Sequence, residues 1–242
     1  MLAPALLGLL GAVNHRIVFV GFALLAAVLV VALGGVGDRA GPSTHETSVR
    51  PRGRALVMIV AFVVLYVLNV GVESGVGGWE PTHLEAVGYT AGTAALATSV
   101  FWLMMTAGRF LVVPLTVRFS EPVIVTGSCA GMALCLALAV VPELSPWAYA
   151  GVGLFIGPVF PTGLPWLYRN TPGASGAGAR VIAASMVGGV VFPPLLGGLI
   201  GLSTVTSAPV TLFAVNAVCL GVVWWIRRSE AGIASPDGTM AR

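Results

Sequence analysis

The chain has 242 residues, of which 57% are hydrophobic and 9% are charged, and its formal net charge is +3. Such a composition excludes an ordinary water-soluble domain, in which about 25% of the residues are charged. Apolar runs of the length that a helix needs to cross a bilayer, about 20 residues, recur along almost the whole sequence.

The predicted elements are seven transmembrane helices, which makes the fold class all-α and polytopic. In chain order they cover approximately residues 17–36, 55–78, 92–117, 122–141, 147–167, 181–202 and 209–226. A transmembrane barrel is the alternative, but its strands alternate apolar and polar residues, whereas these runs are continuously apolar.

The ends and the longest polar segment divide the chain into four parts. Residues 1–12 are apolar but too short to span, so residues 1–36 are interpreted as the end of one helix plus one full span, and the chain as truncated. Residues 37–54 are rich in Gly, Pro, Ser and Thr and are predicted to be a flexible cytoplasmic linker. A six-helix bundle at 55–228 and a cytoplasmic tail at 229–242 follow.

The arginines predict the orientation. Ten of the twelve basic residues fall on one predicted side of the membrane: Arg39, Arg50, Arg52, Arg54, Arg118, Arg169, Arg180, Arg227, Arg228 and Arg242. By the positive-inside rule this side and the carboxy terminus are cytoplasmic, in a multi-pass protein of the plasma membrane. The basic charge therefore needs no nucleic-acid partner, since no patch of base-stacking aromatics accompanies it.

Two sets of three spans within the bundle predict an inverted repeat. Each set opens with a span containing helix-weakening residues, GVESGVGGW at 71–79 and GVGLFIGPVFPTGLPW at 151–166, and we expect both helices to be interrupted there. An odd number of spans in each set places the two sets in opposite orientations. The alternative is that the glycines and prolines only serve close packing and kinks.

Tyr66, Asn69 and Glu73 are spaced by three and four residues, so they share one helical face. A carboxylate at the centre of a membrane helix costs about 2.5–3.5 kcal/mol on insertion scales, which predicts that Glu73 faces a cavity, a cation or a proton. The alternative is a carboxylate near the end of the helix that reaches the membrane interface.

Trp102, Thr106 and Arg109 repeat this pattern in the next span. Arg109 lies too deep for its side chain to reach the interface easily, so we expect a group that neutralises it. Glu73 is the candidate, either by direct pairing or through a shared anionic or polyhydroxy ligand. Backbone carbonyls or water are the alternative.

Thr162 and Trp166 share a helical face with Pro158, where an indole and a hydroxyl suit a sugar ring. The alternative places Trp166 in the aromatic belt at the cytoplasmic interface. The predicted substrate-binding residues are therefore Tyr66, Asn69, Glu73, Trp102, Thr106, Arg109, Thr162 and Trp166.

The segment WEPTHLE, with Glu80, His83 and Glu85, is interpreted as a solvated loop rather than a metal site. The sequence has no HExxH, GxSxG or Walker motif, and we predict no enzyme activity, no cofactor and no metal. The three cysteines, at 129, 135 and 219, are predicted to be small packing residues within the spans.

Several of these stretches resemble the carboxy-terminal half of a major facilitator superfamily transporter, most closely its fucose-permease-like sugar branch. They are GR at 108–109, VRFS at 117–120, YVLNVGVESGVGGWEPTHL at 66–84 and GPVFPTG at 157–163. The resemblance implies two six-helix bundles with a substrate site between them, of which this chain carries one. Residues 1–36 then correspond to the end of the fifth helix and the sixth helix. The proton-coupling carboxylate is expected in the missing half, so the resemblance gives Glu73 no coupling role.

The leading hypothesis is a secondary transporter that moves a small polar, sugar-like solute by alternating access, with a proton as the candidate symported ion. It works with a separate amino-terminal half or as a homodimer. The alternative hypothesis is an inactive membrane-embedded fragment or scaffold.

Overall fold

The structure is a computed structural model that describes residues 53–172, 174 and 176–231, together with five isolated positions between 20 and 28. The linker at 37–52, the tail beyond 231 and the rest of the predicted first span lie outside the described residues.

From residue 53 onward, the described chain is built from seven α-helices and two short 3₁₀ turns. The helices are α1 (Arg54–Ala86), α2 (Ala91–Arg118), α3 (Glu121–Leu138), α4 (Ser145–Ile156), α5 (Val159–Asn170), α6 (Ala177–Leu202) and α7 (Ala208–Ala231), and the turns are Pro142–Leu144 and Val205–Ser207. With α4 and α5 counted as one span, six segments are long and apolar enough to cross a membrane. The predicted all-α class is confirmed, and the chain is a multi-pass helical membrane protein.

The predicted interruption of the first of these helices is wrong, because α1 continues unbroken for 33 residues through 71–79. Glycine, unlike proline, keeps its N–H, so the helical hydrogen bonds continue. The glycines instead admit neighbouring side chains. A Cβ added at Gly71 would lie 2.6 Å from the ring of Phe192, and one at Gly75 would lie 2.6 Å from Leu196 Cδ1. Close packing, the alternative explanation, accounts for this segment.

The second predicted interruption is confirmed. α4 ends at Ile156 and α5 begins at Val159, with Gly157 and Pro158 between them. Proline has no N–H to donate, which weakens the helical ladder at this point. Gly157 and Pro158 both keep right-handed helical dihedral angles, so the break is a local kink within one span.

The helix contacts have the pattern of an inverted repeat. The most extensive contact is that of α1 with α6, and its equivalent is the contact of α4 with α2. The contact of α1 with α7 is likewise equivalent to that of α4 with α3. The remaining contact, of α3 with α7, is its own equivalent. Exchanging the first three spans for the last three leaves this set of contacts unchanged, as the predicted three-plus-three repeat requires. Glycines bring the backbones together: a Cβ at Gly108 would overlap the carbonyl oxygen of Leu154, and one at Gly188 that of Val67.

Polar contacts define the two ends of the bundle. At the arginine end, Arg54 Nη2 donates to the Ser229 carbonyl oxygen at 2.8 Å, and Arg169 pairs with Glu121 at 2.6 Å. At the opposite end, the Tyr89 hydroxyl donates to the Pro142 carbonyl oxygen at 3.1 Å. The arginines of the described helix ends therefore gather at one end, as predicted. Which side of the membrane that end faces stays a prediction.

Candidate functional site

A groove of about 610 Å³ lies between α1, α2, α5 and α6. Its walls combine two charged side chains with apolar and small residues: Val70, Glu73, Ser74, Arg109, Phe160, Pro161, Leu164, Met186 and Gly189. Two of the eight predicted binding residues, Glu73 and Arg109, line this groove.

Glu73 and Arg109 face the groove from different helices without forming an ion pair. Their charges interact electrostatically, but within the described ranges the ion pair with a nitrogen–oxygen distance under 4.0 Å is Arg169–Glu121. Arg109 Nη2 approaches Met105 Sδ at 3.9 Å, a weak contact for a cation. Glu73 and Arg109 therefore do not form the predicted direct ion pair. That both bind a shared ligand stays a prediction.

Tyr66 and Asn69 are buried behind the groove. The Tyr66 hydroxyl donates to the Phe160 carbonyl oxygen at 3.0 Å, and the two rings lie 4.6 Å apart between centroids. The Asn69 side chain is 1% exposed, and its Oδ1 accepts no hydrogen bond in the described structure. Tyr66 therefore positions the groove residue Phe160.

Trp102 and Thr106 are half-buried on the α2 face that leads to Arg109. The indole of Trp102 packs over Gly77, where an added Cβ would lie 2.8 Å from the ring, and Phe101 contacts the indole edge to face. The Thr106 hydroxyl donates to the Trp102 carbonyl oxygen at 3.2 Å. Neither side chain lines the groove.

Thr162 and Trp166 lie closer to the arginine end. The Trp166 side chain is fully buried, and its Nε1 donates to Glu230 Oε1 at 2.5 Å. Placement of Trp166 in the interfacial aromatic belt is therefore wrong, because α7 covers the indole. Thr162 borders a second cavity of about 560 Å³ beside Arg118 and Arg169.

Sequence reasoning missed the groove residues of α5 and α6. Phe160 and Leu164 are spaced by four on α5, a signal that could have placed them on one face. Met186 and Gly189 on α6 carry no polar group, so nothing in the sequence distinguishes them from residues that face lipid.

The interpretation of the WEPTHLE segment as a solvated loop is wrong for Glu80 and His83, which are both 1% exposed. The helix that carries them extends to Ala86, and Gly88, with a φ of 105°, follows its end. His83 Nδ1 lies 3.2 Å from the Tyr149 hydroxyl. Glu85 is exposed as expected.

Comparison with known proteins identifies the fold. No family model matches the sequence, and a search of curated proteins finds no match. The chain is similar to the crystal structure of a Major Facilitator Superfamily transporter, FucP, in the outward conformation, with a TM-score of 0.61 and 17% sequence identity. The match covers 86% of this chain and 54% of that chain, so this chain spans about half the length of the transporter. The resemblance inferred from the sequence is confirmed at the level of the fold.

Proposed function

We propose that this chain, which has the fold of about half of a major facilitator superfamily transporter, is one half of an alternating-access carrier for a small, sugar-like solute. The observation that carries the proposal is the groove that Glu73 and Arg109 both line without forming an ion pair with each other. Hydroxyl groups of a solute can donate to a carboxylate and accept from a guanidinium, so one polyhydroxy molecule satisfies both. The apolar walls, which include Phe160 and Leu164, suit the faces of a sugar ring.

A second bundle completes the site in this proposal. Arg109 is exposed in the described chain, although a charged side chain that faces lipid at this depth is costly. The groove therefore needs a cover other than lipid. An amino-terminal half supplied separately, or a second copy of this chain, is the proposed cover.

The same proposal places the arginine end and the carboxy terminus in the cytoplasm and the protein in the plasma membrane. A proton is the candidate symported ion. The proposal includes no enzyme activity, cofactor or metal, and within the described residues no group of three His, Cys, Asp or Glu side chains could hold a metal ion.

Solute uptake in cells that lack endogenous sugar carriers tests the proposal. The chain is expressed alone and together with an amino-terminal transporter half, and purified protein is examined for its oligomeric state. If the cover is a separate amino-terminal half, we expect uptake only when that half is co-expressed. If the cover is a second copy, we expect uptake by the chain alone and a dimer after purification. Solute exchange by a purified monomer would exclude the need for a partner. Absence of uptake in every combination would favour the inactive fragment.

A further inference from the structure

A buried polar cluster lies near the opposite end of the bundle, away from the groove. It consists of Glu80 and His83 on α1, Thr98 on α2 and Tyr149 on α4, and none of these side chains is more than 6% exposed. Glu80 is the unusual member, because both of its carboxyl oxygens are buried and neither has a hydrogen-bond partner. The Thr98 hydroxyl lies beside this carboxyl group, but its proton is donated to the Ala94 carbonyl oxygen at 3.2 Å.

Within the described residues, no cation faces Glu80 from the helices that surround it. His83 on its own helix and Tyr149 on α4 are the ionisable groups of the cluster. No ionisable side chain lies in the segments of the other helices that pack near this end. These segments are residues 91–108 of α2, residues 181–202 of α6, and residues 205–218, which cover the second 3₁₀ turn and the start of α7. Arg109 follows Thr98 by eleven residues, roughly 16 Å along the helix, and it interacts with Glu73 instead.

A charged carboxylate in these surroundings would be strongly unfavourable. Removing an ion from water costs several kcal/mol when neither a counter-charge nor hydrogen-bond donors replace the lost hydration. A metal ion would not neutralise the carboxylate well, because the cluster offers few further ligands. The Thr98 hydroxyl is bonded to the Ala94 carbonyl oxygen, and Tyr149 is in contact with His83. A proton neutralises the carboxylate without needing any further ligand.

We propose that Glu80 is a proton-binding site that holds the opposite end of the bundle closed. A protonated Glu80 can donate its O–H to the Thr98 oxygen beside it, which still donates its own proton to the Ala94 carbonyl oxygen. With the contact between Tyr149 and His83, the cluster then connects α1 to both α2 and α4. When the O–H bond of Glu80 breaks, the proton leaves to water and the carboxylate requires hydration. α1 then separates from α2 and α4 at this end until water enters.

Infrared spectroscopy of the purified full chain in lipid tests for the bound proton. We expect a carbonyl band of a protonated carboxylic acid that persists at neutral pH, disappears in Glu80→Gln and remains in Glu85→Gln, the exposed neighbour on the same helix. A band that is unaffected by Glu80→Gln would overturn the proposal. So would a carboxylate band at Glu80 that shifts when sodium replaces a large organic cation, since the site would then bind a metal cation.

Hydrogen–deuterium exchange tests the opening. Glutamine has the shape of the neutral acid and cannot ionise, so Glu80→Gln should fold and remain closed. At alkaline pH we expect the amides of residues 80–100 and 145–152 to exchange faster in the wild-type chain than in Glu80→Gln, and at acidic pH equally fast. Equal exchange at both pH values would contradict the proposal. Neither measurement depends on transport, so failure here is distinct from failure of the proposed function.

Discussion

At the scale of single residues, depth in the membrane distinguishes charged groups that have a role from those that mark an interface. Arg109 and Glu73 were predicted from their position within apolar spans, and the structure brings both to the groove. The six other predicted residues lie behind the groove or beyond it; four of them share a helical face with Glu73 or Arg109, and Thr162 and Trp166 lie on α5. Helical periodicity predicts which residues share a face, whereas the neighbouring helix decides whether that face is covered.

Replacement of Arg109 should weaken solute binding. A hydrogen bond from a charged group contributes about 1.5–3 kcal/mol, so we expect Arg109→Ala to reduce affinity by roughly tenfold or more. The measurement is a binding titration or concentration-dependent uptake with the completed carrier. Arg118→Ala is the control, since this arginine lies at the end of the same helix, outside the groove. Equal affinities for Arg109→Ala and the unmodified chain would remove Arg109 from the binding site.

At the scale of helices, glycines determine how closely backbones approach. α1 and α6 cross where Gly188 meets the Val67 carbonyl oxygen, and α2 and α4 cross where Gly108 meets the Leu154 carbonyl oxygen. The sequence showed the glycines in α1 but suggested the wrong consequence. A glycine in a membrane helix is equally compatible with a break and with close packing, and only the partner helix distinguishes the two.

Gly188→Ala should destabilise the bundle, because the added methyl group overlaps backbone that cannot rotate away. Overpacking of this kind typically costs about 1–3 kcal/mol. Gly198→Ala is the matched control on the same helix, since a Cβ there meets nothing within 4 Å. Unfolding of both variants in detergent, followed by circular dichroism, checks the prediction. Equal stabilities would show that the two helices are not in backbone contact.

Glu230 should stabilise the contact between α5 and α7. Its Oε1 accepts hydrogen bonds from Trp166 Nε1 and from Asn170 Nδ2. Glu230→Ala leaves the buried indole N–H without a partner, and an unsatisfied buried group costs about 1–3 kcal/mol. We expect a lower unfolding temperature for this variant and little change for Glu143→Ala, whose side chain is exposed. A Glu230→Ala variant as stable as the unmodified chain would contradict the assigned contact.

At the scale of the whole molecule, the contacts repeat under exchange of the first three spans for the last three. The predicted inverted repeat depended on one correct interruption, at Gly157 and Pro158, and one that does not occur. The repeat survives this error because the helix contacts show it directly, and the odd number of spans in each half places the two halves in opposite orientations.

Orientation can be measured by cysteine labelling in intact cells. In a chain whose native cysteines are replaced, Glu143→Cys at the opposite end should react with a membrane-impermeant maleimide added outside. Arg118→Cys at the arginine end should react only after permeabilisation. This result follows from the positive-inside rule. Labelling with the reverse pattern would place the carboxy terminus outside the cell.

The sequence by itself determined the helical class, six of the seven predicted spans and the gathering of arginines at one end, because burial in lipid demands long apolar runs and closed backbone hydrogen bonds. Only the tertiary structure decided which polar residues face the groove and which are covered. Trp166 and the Glu80–His83 pair lie near predicted helix ends, where the sequence suggests exposure, yet α7 covers the first and α2 and α4 enclose the second. The physical reason is that burial depends on neighbours distant in the chain, which the local sequence pattern does not specify.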